Sequence, residues 1–418
     1  MRLIRQIAIY AFVCTVVSSW VLAQSANPEG TGLSAERLRR INNLIERRIE
    51  SKDISGAVTL VARRGRIAHF EAQGLMDIES NKPMSKDAIF KIASMTKPVV
   101  GVAIMMMVEE GKVRLTDPAS RYIPELKDLK VAVVQGSAAP AGERGAVPPR
   151  FYTVPVEREI TVRDLLTHTS GLASGPISSA EAAKLVGSYP PAATLAEFIP
   201  RLASVPLEFQ PGTRWSYSPT LGFDTLLRIV EVASGMRADQ FLKQRIFDPL
   251  GMKDTTFSPS PSQAARVVTM YQKKETGLQR SQNQNALSSS VYYSGGGGLA
   301  TTTEDYYKFA QMLVNGGESN GKHLLSRRSA ELMGSVHIPD TLPGRPRGES
   351  WGLSVRVISD AAARNTFLSN GSFGWSGAFG THFWVDPKEK LVAILMVQTA
   401  NQEISRDFET AVMQSITE

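Results

Sequence analysis

The sequence has very little cysteine: its 418 residues include one, Cys14, which lies inside an apolar run near the N-terminus. Beyond that run the chain can form no disulfide, cysteine nucleophile or thiolate metal site. Histidine is also scarce. The five histidines include no His-x-His or His-Glu-x-x-His pattern, the spacings that bind catalytic metals. These shortages disfavour a cysteine hydrolase and a metallohydrolase.

The chain also lacks a concentrated basic region. Lysine and arginine number 47 against 40 acidic residues, which gives a formal charge of +7, but they are scattered along the sequence. A nucleic-acid-binding protein would need a basic stripe together with a recognition motif, and neither is visible. We therefore expect no nucleic-acid partner.

The N-terminus has the layout of a cleavable export signal. Arg2 and Arg5 precede the apolar run Ile7–Val17, and a small residue, Ala23, comes before a polar stretch. This pattern predicts a signal peptide over residues 1–23. The run is shorter than the roughly 20 residues that a membrane-spanning helix needs. We expect an exported protein, periplasmic or secreted, without stable membrane insertion after cleavage.

Periodicity predicts strands near both ends of the chain, each group flanked by a terminal helix. The helices are Leu33–Ser51 and Ile404–Ile416, and the strands are Ala57–Ala62, Ile67–Phe70, Trp351–Ile358, Gly380–Val385 and Leu391–Gln398. The simplest packing joins these strands into one antiparallel sheet covered by helices. The predicted fold class is therefore α/β in the broad sense of a mixed fold, and more specifically α+β, because the sheet is antiparallel.

The middle of the chain is predicted to be helical instead. The helices are Pro98–Glu110, Val162–Leu166, Thr194–Leu202, Leu221–Ser234, Ala238–Phe247 and Thr303–Asn315. We predict a domain over residues 30–418, in which a helical lobe (91–300) is inserted into an α/β lobe (30–90 and 301–418). The Gly-, Ala- and Pro-rich segment Gly136–Arg150 is expected to be a loop or a loose hairpin.

The strongest chemical motif is a Ser-x-x-Lys formed by Ser94 and Lys97, placed where a strand-like edge meets a long apolar helix. If Ser94 opens that helix, Lys97 lies one turn later on the same face. A buried lysine beside a hydroxyl can lose its proton near neutral pH and act as a base. Taken alone, the motif also fits a serine that only caps the helix.

The sequence around this motif resembles a known family. The blocks that carry the resemblance, in chain order, are Phe90–Pro98, Val108–Lys112, Leu115–Pro118, Asp164–Leu172, Phe209–Ser218, Gly296–Thr302 and Gly374–Thr381. They resemble the signature blocks of serine β-lactamases, penicillin-binding proteins and the related family VIII carboxylesterases. The resemblance runs from about Leu33 to the end of the chain. It implies the β-lactamase/transpeptidase fold, with the active site between the lobes.

The resemblance also implies roles for individual residues. Ser94 would be the nucleophile, Lys97 its activating base and Tyr217 a partner in proton transfer. Where the class C branch has an asparagine two residues after this tyrosine, the sequence has Pro219, whose side chain offers no hydrogen-bond donor. No metal or organic cofactor would be required.

The third motif of the family bears on the substrate. Penicillin-recognising members carry Lys-Thr-Gly, but this chain has Trp375, Ser376 and Gly377, which resembles the Trp-Gly-Gly variant of the family VIII esterases. Tryptophan offers an apolar face and one N–H donor without a positive charge. By resemblance, the N–H groups of Ser94 and Ala378 would form the oxyanion hole.

Two other motifs invite a functional interpretation. The segment Gly317–Gly321 matches Gly-x-Ser-x-Gly, but that elbow needs a strand before it and a helix after it. Here a predicted helix comes first, so we expect a surface turn. His168 could be proposed as a catalytic base, but within its Thr-His-Thr block we expect a structural, hydrogen-bonding histidine.

The sequence therefore predicts a serine hydrolase, EC 3.1.1.-, that cleaves small-molecule, short-chain carboxylic esters through an acyl-enzyme. The shared acylation chemistry would allow weak β-lactam hydrolysis as a side activity. A class C-like β-lactamase and a D-amino-acid peptidase are alternatives within the same fold. A catalytically inert penicillin-binding-like protein is the alternative outside enzymes. The sequence does not define the oligomeric state.

Overall fold

The computed structural model describes residues 28–135, 150–188, 193–282 and 291–418. The predicted signal peptide (1–23) and nearly all of the predicted loop Gly136–Arg150 lie outside these residues, and both stay predictions. Within the described residues, no helix combines the length and the apolar character needed to cross a membrane.

The strands are distributed unevenly along the chain. They are β1 (Gly56–Arg63), β2 (Arg66–Asp77), β3 (Lys82–Pro83), β4 (Ile89–Lys91), β5 (Lys130–Val134), β6 (Phe151–Pro155), β7 (Tyr271–Lys274), β8 (Gly277–Arg280), β9 (Ala300–Thr302), β10 (Glu318–Ser319), β11 (Lys322–His323), β12 (Glu349–Trp351), β13 (Arg356–Ile358), β14 (Phe373–Ser376), β15 (His382–Asp386) and β16 (Leu391–Met396).

The helices fill the space between the two groups of strands and cover the ends of the chain. They are α1 (Ala35–Glu50), α2 (Thr96–Glu109), α3 (Val162–Leu166), α4 (Pro176–Gly187), α5 (Leu195–Phe198), α6 (Leu221–Ser234), α7 (Ala238–Leu242), α8 (Asp248–Leu250), α9 (Pro261–Ala264), α10 (Thr303–Val314), α11 (Arg327–Met333), α12 (Ala361–Arg364) and α13 (Gln402–Met413).

The described residues form one large sheet of eight strands in the order β12-β13-β14-β15-β16-β1-β2-β3. All neighbouring pairs are antiparallel, and β1 joins the two ends of the chain by pairing with β16, for example Val58 opposite Met396. The antiparallel sheet flanked by helices, predicted from the sequence, is thereby confirmed.

Both faces of this sheet are covered, which explains why every residue of β1 is buried. Side chains alternate between faces along a strand. Val61 packs toward α1 and α13, in a buried cluster that also contains Phe408 of α13 and Trp384 of β15. Leu60 points to the opposite face and joins the larger core that includes α2, α6 and α10.

Helix α2 lies inside that larger core. Its residues from Thr96 to Met107 are all buried, so the helix is enclosed on every side rather than amphipathic. A single 3₁₀ turn, Ala93–Met95, connects it to β4. The sequence placed Ser94 at the opening of the helix; the structure places it in this turn, two residues before α2 begins.

Several predicted elements differ in detail. The predicted strand Trp351–Ile358 is two short strands, β12 and β13, because Ser354 has a positive φ of 74° and reverses the chain. Helix α4 and the hairpin β5–β6 were not predicted. The predicted helix Ala238–Phe247 ends in a π-helical turn, Lys243–Phe247.

Candidate active site

Ser94 lies half-buried in the turn that precedes α2, and it lines a cleft of about 470 Å³. The residue before it, Ala93, has a positive φ of 42°, a backbone conformation that residues other than glycine rarely adopt. Local backbone strain of this kind costs on the order of 1–3 kcal/mol and clusters at functional sites. The surrounding structure thus fixes the direction in which the Ser94 hydroxyl points.

Lys97 is completely buried and has three hydrogen-bonding neighbours. Its Nζ lies 3.1 Å from Ser94 Oγ, 2.5 Å from the carbonyl oxygen of Pro219 and 2.7 Å from the carbonyl oxygen of Gly296. Burial lowers the pKa of Lys97 to about 7, against a smaller upward effect of the nearby Asp224 charge. At neutral pH a substantial fraction of this amine is therefore unprotonated.

Tyr217 approaches Ser94 from the other side. Its Oη donates to Ser94 Oγ at 2.8 Å and accepts a hydrogen bond from Trp375 Nε1 at 3.2 Å. Burial raises the pKa of Tyr217, and its bonds with Ser94 and Trp375 lower it in part. The structure thus brings Ser94, Lys97, Tyr217 and Trp375 into one hydrogen-bonded group.

His168 contacts the Tyr217 segment through hydrogen bonds on both sides of the tyrosine and through its ring. Its backbone carbonyl accepts from Ser216 N at 3.0 Å, and its Nδ1 accepts from Ser218 N at 3.1 Å. Its ring stacks obliquely on Tyr217, with 4.7 Å between centroids. Burial and the nearby Lys97 charge lower the pKa of His168 well below its ordinary value, so the ring is neutral. The predicted hydrogen bonding of His168 is thus observed, and its structural role stays a prediction.

The third motif runs along β14 and into the turn after it. Gly377 allows this turn to pass close to the backbone before Ser94, since a Cβ there would collide with the carbonyl oxygen of Ile92 and with Thr381 Oγ1. Ala378 follows on the exposed side, and Ser376, Gly377 and Ala378 all line the same cleft as Ser94. The structure therefore brings every sequence-predicted site residue to one cleft, apart from buried Lys97, which lies behind Ser94.

Asp224 on α6 is a site residue that the sequence analysis missed. It is fully buried and accepts three hydrogen bonds at 2.8 Å, from Gly296 N, Ser294 Oγ and Tyr292 Oη. Burial raises the pKa of Asp224, and these bonds counteract the rise. Because Gly296 also accepts from Lys97, Asp224 positions one of the carbonyls that hold the amine. A lone aspartate in an apolar helix carries no motif that would have revealed this.

A second hydrogen-bonded chain leads away from the cleft and was also missed. Ser376 Oγ lies 2.8 Å from His382 Nδ1, and His382 Nε2 lies 3.1 Å from Glu409 Oε1. Glu409 also accepts from Arg356 at 3.1 Å. Burial acts to raise the Glu409 pKa, but the contacts with His382 and Arg356 bring it down to about 2. Glu409 is therefore a carboxylate in the folded protein.

The described residues contain no group of three or more His, Asp or Glu side chains placed to bind a metal ion. The Gly317–Gly321 match is the turn of the hairpin β10–β11, in which Asn320 and Gly321 both have positive φ, as a type I′ turn requires. It follows α10 rather than a strand, so it is the surface turn that the sequence predicted.

Comparison with known proteins gives a consistent result. The β-lactamase family model matches residues 41–416. Protein Rv1367c of Mycobacterium tuberculosis is 35% identical over 362 residues, which cover 82% of this chain and 86% of that protein. Esterase EstB of Burkholderia gladioli is 28% identical over 415 residues, covering 94% of this chain and 99% of the esterase.

The fold is also similar to that of a solved structure, simvastatin synthase (LovD) from Aspergillus terreus. The two superpose with a TM-score of 0.76 at 22% identity, over 91% of this chain and 98% of the synthase. At this identity the likeness concerns the fold.

Proposed function

Since the chain belongs to the β-lactamase family of serine hydrolases, we propose that it cleaves short-chain carboxylic esters through an acyl-enzyme on Ser94. The observation that carries the proposal is the set of hydrogen-bond partners around the Lys97 amine. Two of its three neighbours, the carbonyl oxygens of Pro219 and Gly296, can only accept hydrogen bonds.

The direction of the hydrogen bonds follows from this. A neutral amine has two N–H groups and one lone pair, so the two N–H groups go to the carbonyls and the lone pair faces Ser94. A protonated Lys97 donates to Ser94 Oγ, 3.1 Å away; in the unprotonated state this direction is reversed and Ser94 donates to the amine. Ser94 also accepts from Tyr217, which in turn accepts from Trp375. Each donor in this chain points toward the amine, which is the arrangement that activates a serine hydroxyl.

The reaction follows in two steps. Ser94 Oγ attacks the ester carbonyl carbon while its proton passes to Lys97, and the carbonyl oxygen becomes an oxyanion held by the N–H groups of Ser94 and Ala378. The C–O bond to the alcohol breaks, and Tyr217 supplies the proton that the alcohol carries away, with Lys97 restoring the tyrosine. A water molecule then attacks the acyl-enzyme, giving up its proton by the reverse route, and releases the carboxylic acid and Ser94.

Esters are favoured over β-lactams by the neutral character of the third motif. Trp375 replaces the lysine that would pair with an antibiotic carboxylate, and its one N–H is already donated to Tyr217. Two of the arginines that line this cleft, Arg356 and Arg364, both pair with Glu349. The similarity to esterase EstB of Burkholderia gladioli also supports an esterase.

The experiment compares kcat/KM for p-nitrophenyl butyrate and nitrocefin. We expect butyrate turnover to dominate and to fall at least about a thousandfold in Ser94→Ala, as removal of a nucleophile does in serine hydrolases. Ser319→Ala, in the β10–β11 hairpin, is the matched control and should keep full activity. Dominant nitrocefin turnover would instead indicate a β-lactamase, and butyrate turnover that survives in Ser94→Ala would exclude Ser94 as nucleophile.

A further inference from the structure

The chain Ser376–His382–Glu409 reaches the cleft beside Ser94 but takes no part in the proton transfers described above. Ser376 is its exposed end: it is half-buried and lines the cleft, whereas His382 and Glu409 are 1% and 6% exposed. Ser376 and His382 are direct partners across β14 and β15, so the pairing of the two strands fixes their side chains side by side. Two members of the group are therefore fixed by the sheet, and the third, Glu409, reaches His382 from helix α13.

The direction of hydrogen bonding in this chain starts at Glu409. An ionised carboxylate can only accept, so the His382 nitrogen that faces it, Nε2, must carry the proton. We take the ring of His382 as neutral, so that its other nitrogen, Nδ1, is an acceptor. Its neighbour is Ser376 Oγ, so the serine hydroxyl donates its proton inward to His382.

The consequence for the cleft is a change in what Ser376 offers. A hydroxyl has one proton and two lone pairs. With the proton committed to His382, only lone pairs face the cleft. A substrate carboxylate placed there would meet another acceptor, while a substrate hydroxyl, amide N–H or ammonium group would meet a partner.

We propose that Ser376, His382 and Glu409 form a specificity subsite that accepts a hydrogen bond from a donor group of the substrate, such as a hydroxyl. The inference rests on the proposed ester hydrolysis and names the kind of ester that it favours. Arg356 does not supply a competing anion site at this point, because it pairs with both Glu409 and Glu349. The subsite therefore favours hydroxylated over carboxylated esters.

The experiment uses matched ester pairs, one on each side of the scissile bond, in which a hydroxyl replaces a hydrogen (acyl pair) or a methyl group (alcohol pair). The acyl pair is p-nitrophenyl butyrate and p-nitrophenyl 3-hydroxybutyrate; the alcohol pair is propyl butyrate and 2-hydroxyethyl butyrate. Carboxymethyl butyrate supplies the carboxylate. We expect the hydroxylated member of at least one pair to have the higher kcat/KM, and Ser376→Ala to reduce that preference about threefold to tenfold, the range for one lost hydrogen bond.

Two further variants distinguish an effect of the Ser376–His382–Glu409 hydrogen bonds from a general effect of changing the cleft. Ser405→Ala removes another serine hydroxyl that lines the same cleft, and the preference should remain. Glu409→Gln offers His382 a donor as well as an acceptor, which allows the imidazole to reverse and Ser376 to turn its proton toward the cleft. We expect this variant to lose the hydroxyl preference although Ser376 is intact.

The outcomes are distinguishable. If esters are hydrolysed but the preference is the same in Ser376→Ala, or if a preference for the carboxylated ester disappears in that variant, the acceptor subsite is wrong and the esterase proposal stands. If the unmodified protein hydrolyses none of the esters, the proposed function fails and the subsite falls with it.

Discussion

Replacement of Lys97 by methionine tests the unprotonated state of the amine without any substrate. Lys97→Met keeps a chain of similar length inside the core but removes the titrating group. In the folded protein burial lowers the pKa of Lys97 from 10.5 to about 7. Between these two pH values the unfolded chain binds more protons than the folded protein, so the free energy of unfolding rises with pH.

The size of the effect follows from the same two values. With a folded pKa of about 7 and an unfolded value of 10.5, the rise between pH 7 and pH 9 is about 2 kcal/mol. The pKa of His168 is well below its ordinary value and that of Tyr217 is raised, so neither of these two neighbours titrates in this window. Lys97→Met should lack the rise, and should lose ester hydrolysis.

The assay is urea unfolding of both proteins at pH 7 and pH 9, followed by tryptophan fluorescence. The quantity of interest is the difference between the two pH dependences, because effects of other groups and of the lost hydrogen bonds to Pro219 and Gly296 cancel in it. If both proteins gain the same stability between pH 7 and pH 9, the Lys97 pKa lies outside this window and the direction assigned to the Ser94–Lys97 hydrogen bond is wrong.

Three further substitutions test other parts of the site. Trp375→Phe removes the hydrogen bond to Tyr217 and should lower kcat/KM for butyrate esters about twofold to tenfold; an unchanged value would show that the indole N–H has no role. Asp224→Asn removes the charge that raises the pKa of Lys97, so the acid limb of the kcat/KM profile should move to lower pH, and a shift to higher pH would contradict the assignment. Gly377→Ala should abolish turnover and lower the melting temperature, because its Cβ would collide with backbone near Ser94.

The sequence was informative wherever chemistry and spacing coincide. Ser94 and Lys97 form a recognisable pattern because two side chains one helical turn apart must face the same way. The strands around Val61 and those of the C-terminal end were predicted because their residues are apolar and β-branched over the length of a strand. The strand predicted over Trp351–Ile358 failed because its pattern does not reveal that Ser354 reverses the chain.

Other parts of the site could not be read from the sequence for physical reasons. The sequence draws attention to the side chain of Pro219, but this residue holds Lys97 through its backbone carbonyl, which every residue possesses. Asp224 acts through Gly296, 72 positions later in the chain. The contact between His382 and Glu409 joins a strand to a helix 27 positions away, and it depends on packing that no local pattern records.

The most direct test of the central claim is to identify the serine that reacts. The purified protein would be treated with a fluorophosphonate, and the modified residue located by intact-mass and peptide mass spectrometry. The account predicts one phosphonyl group per chain, on Ser94, and none in Ser94→Ala. A label on Ser376, which lies beside His382 and Glu409, or no label at all, would contradict it.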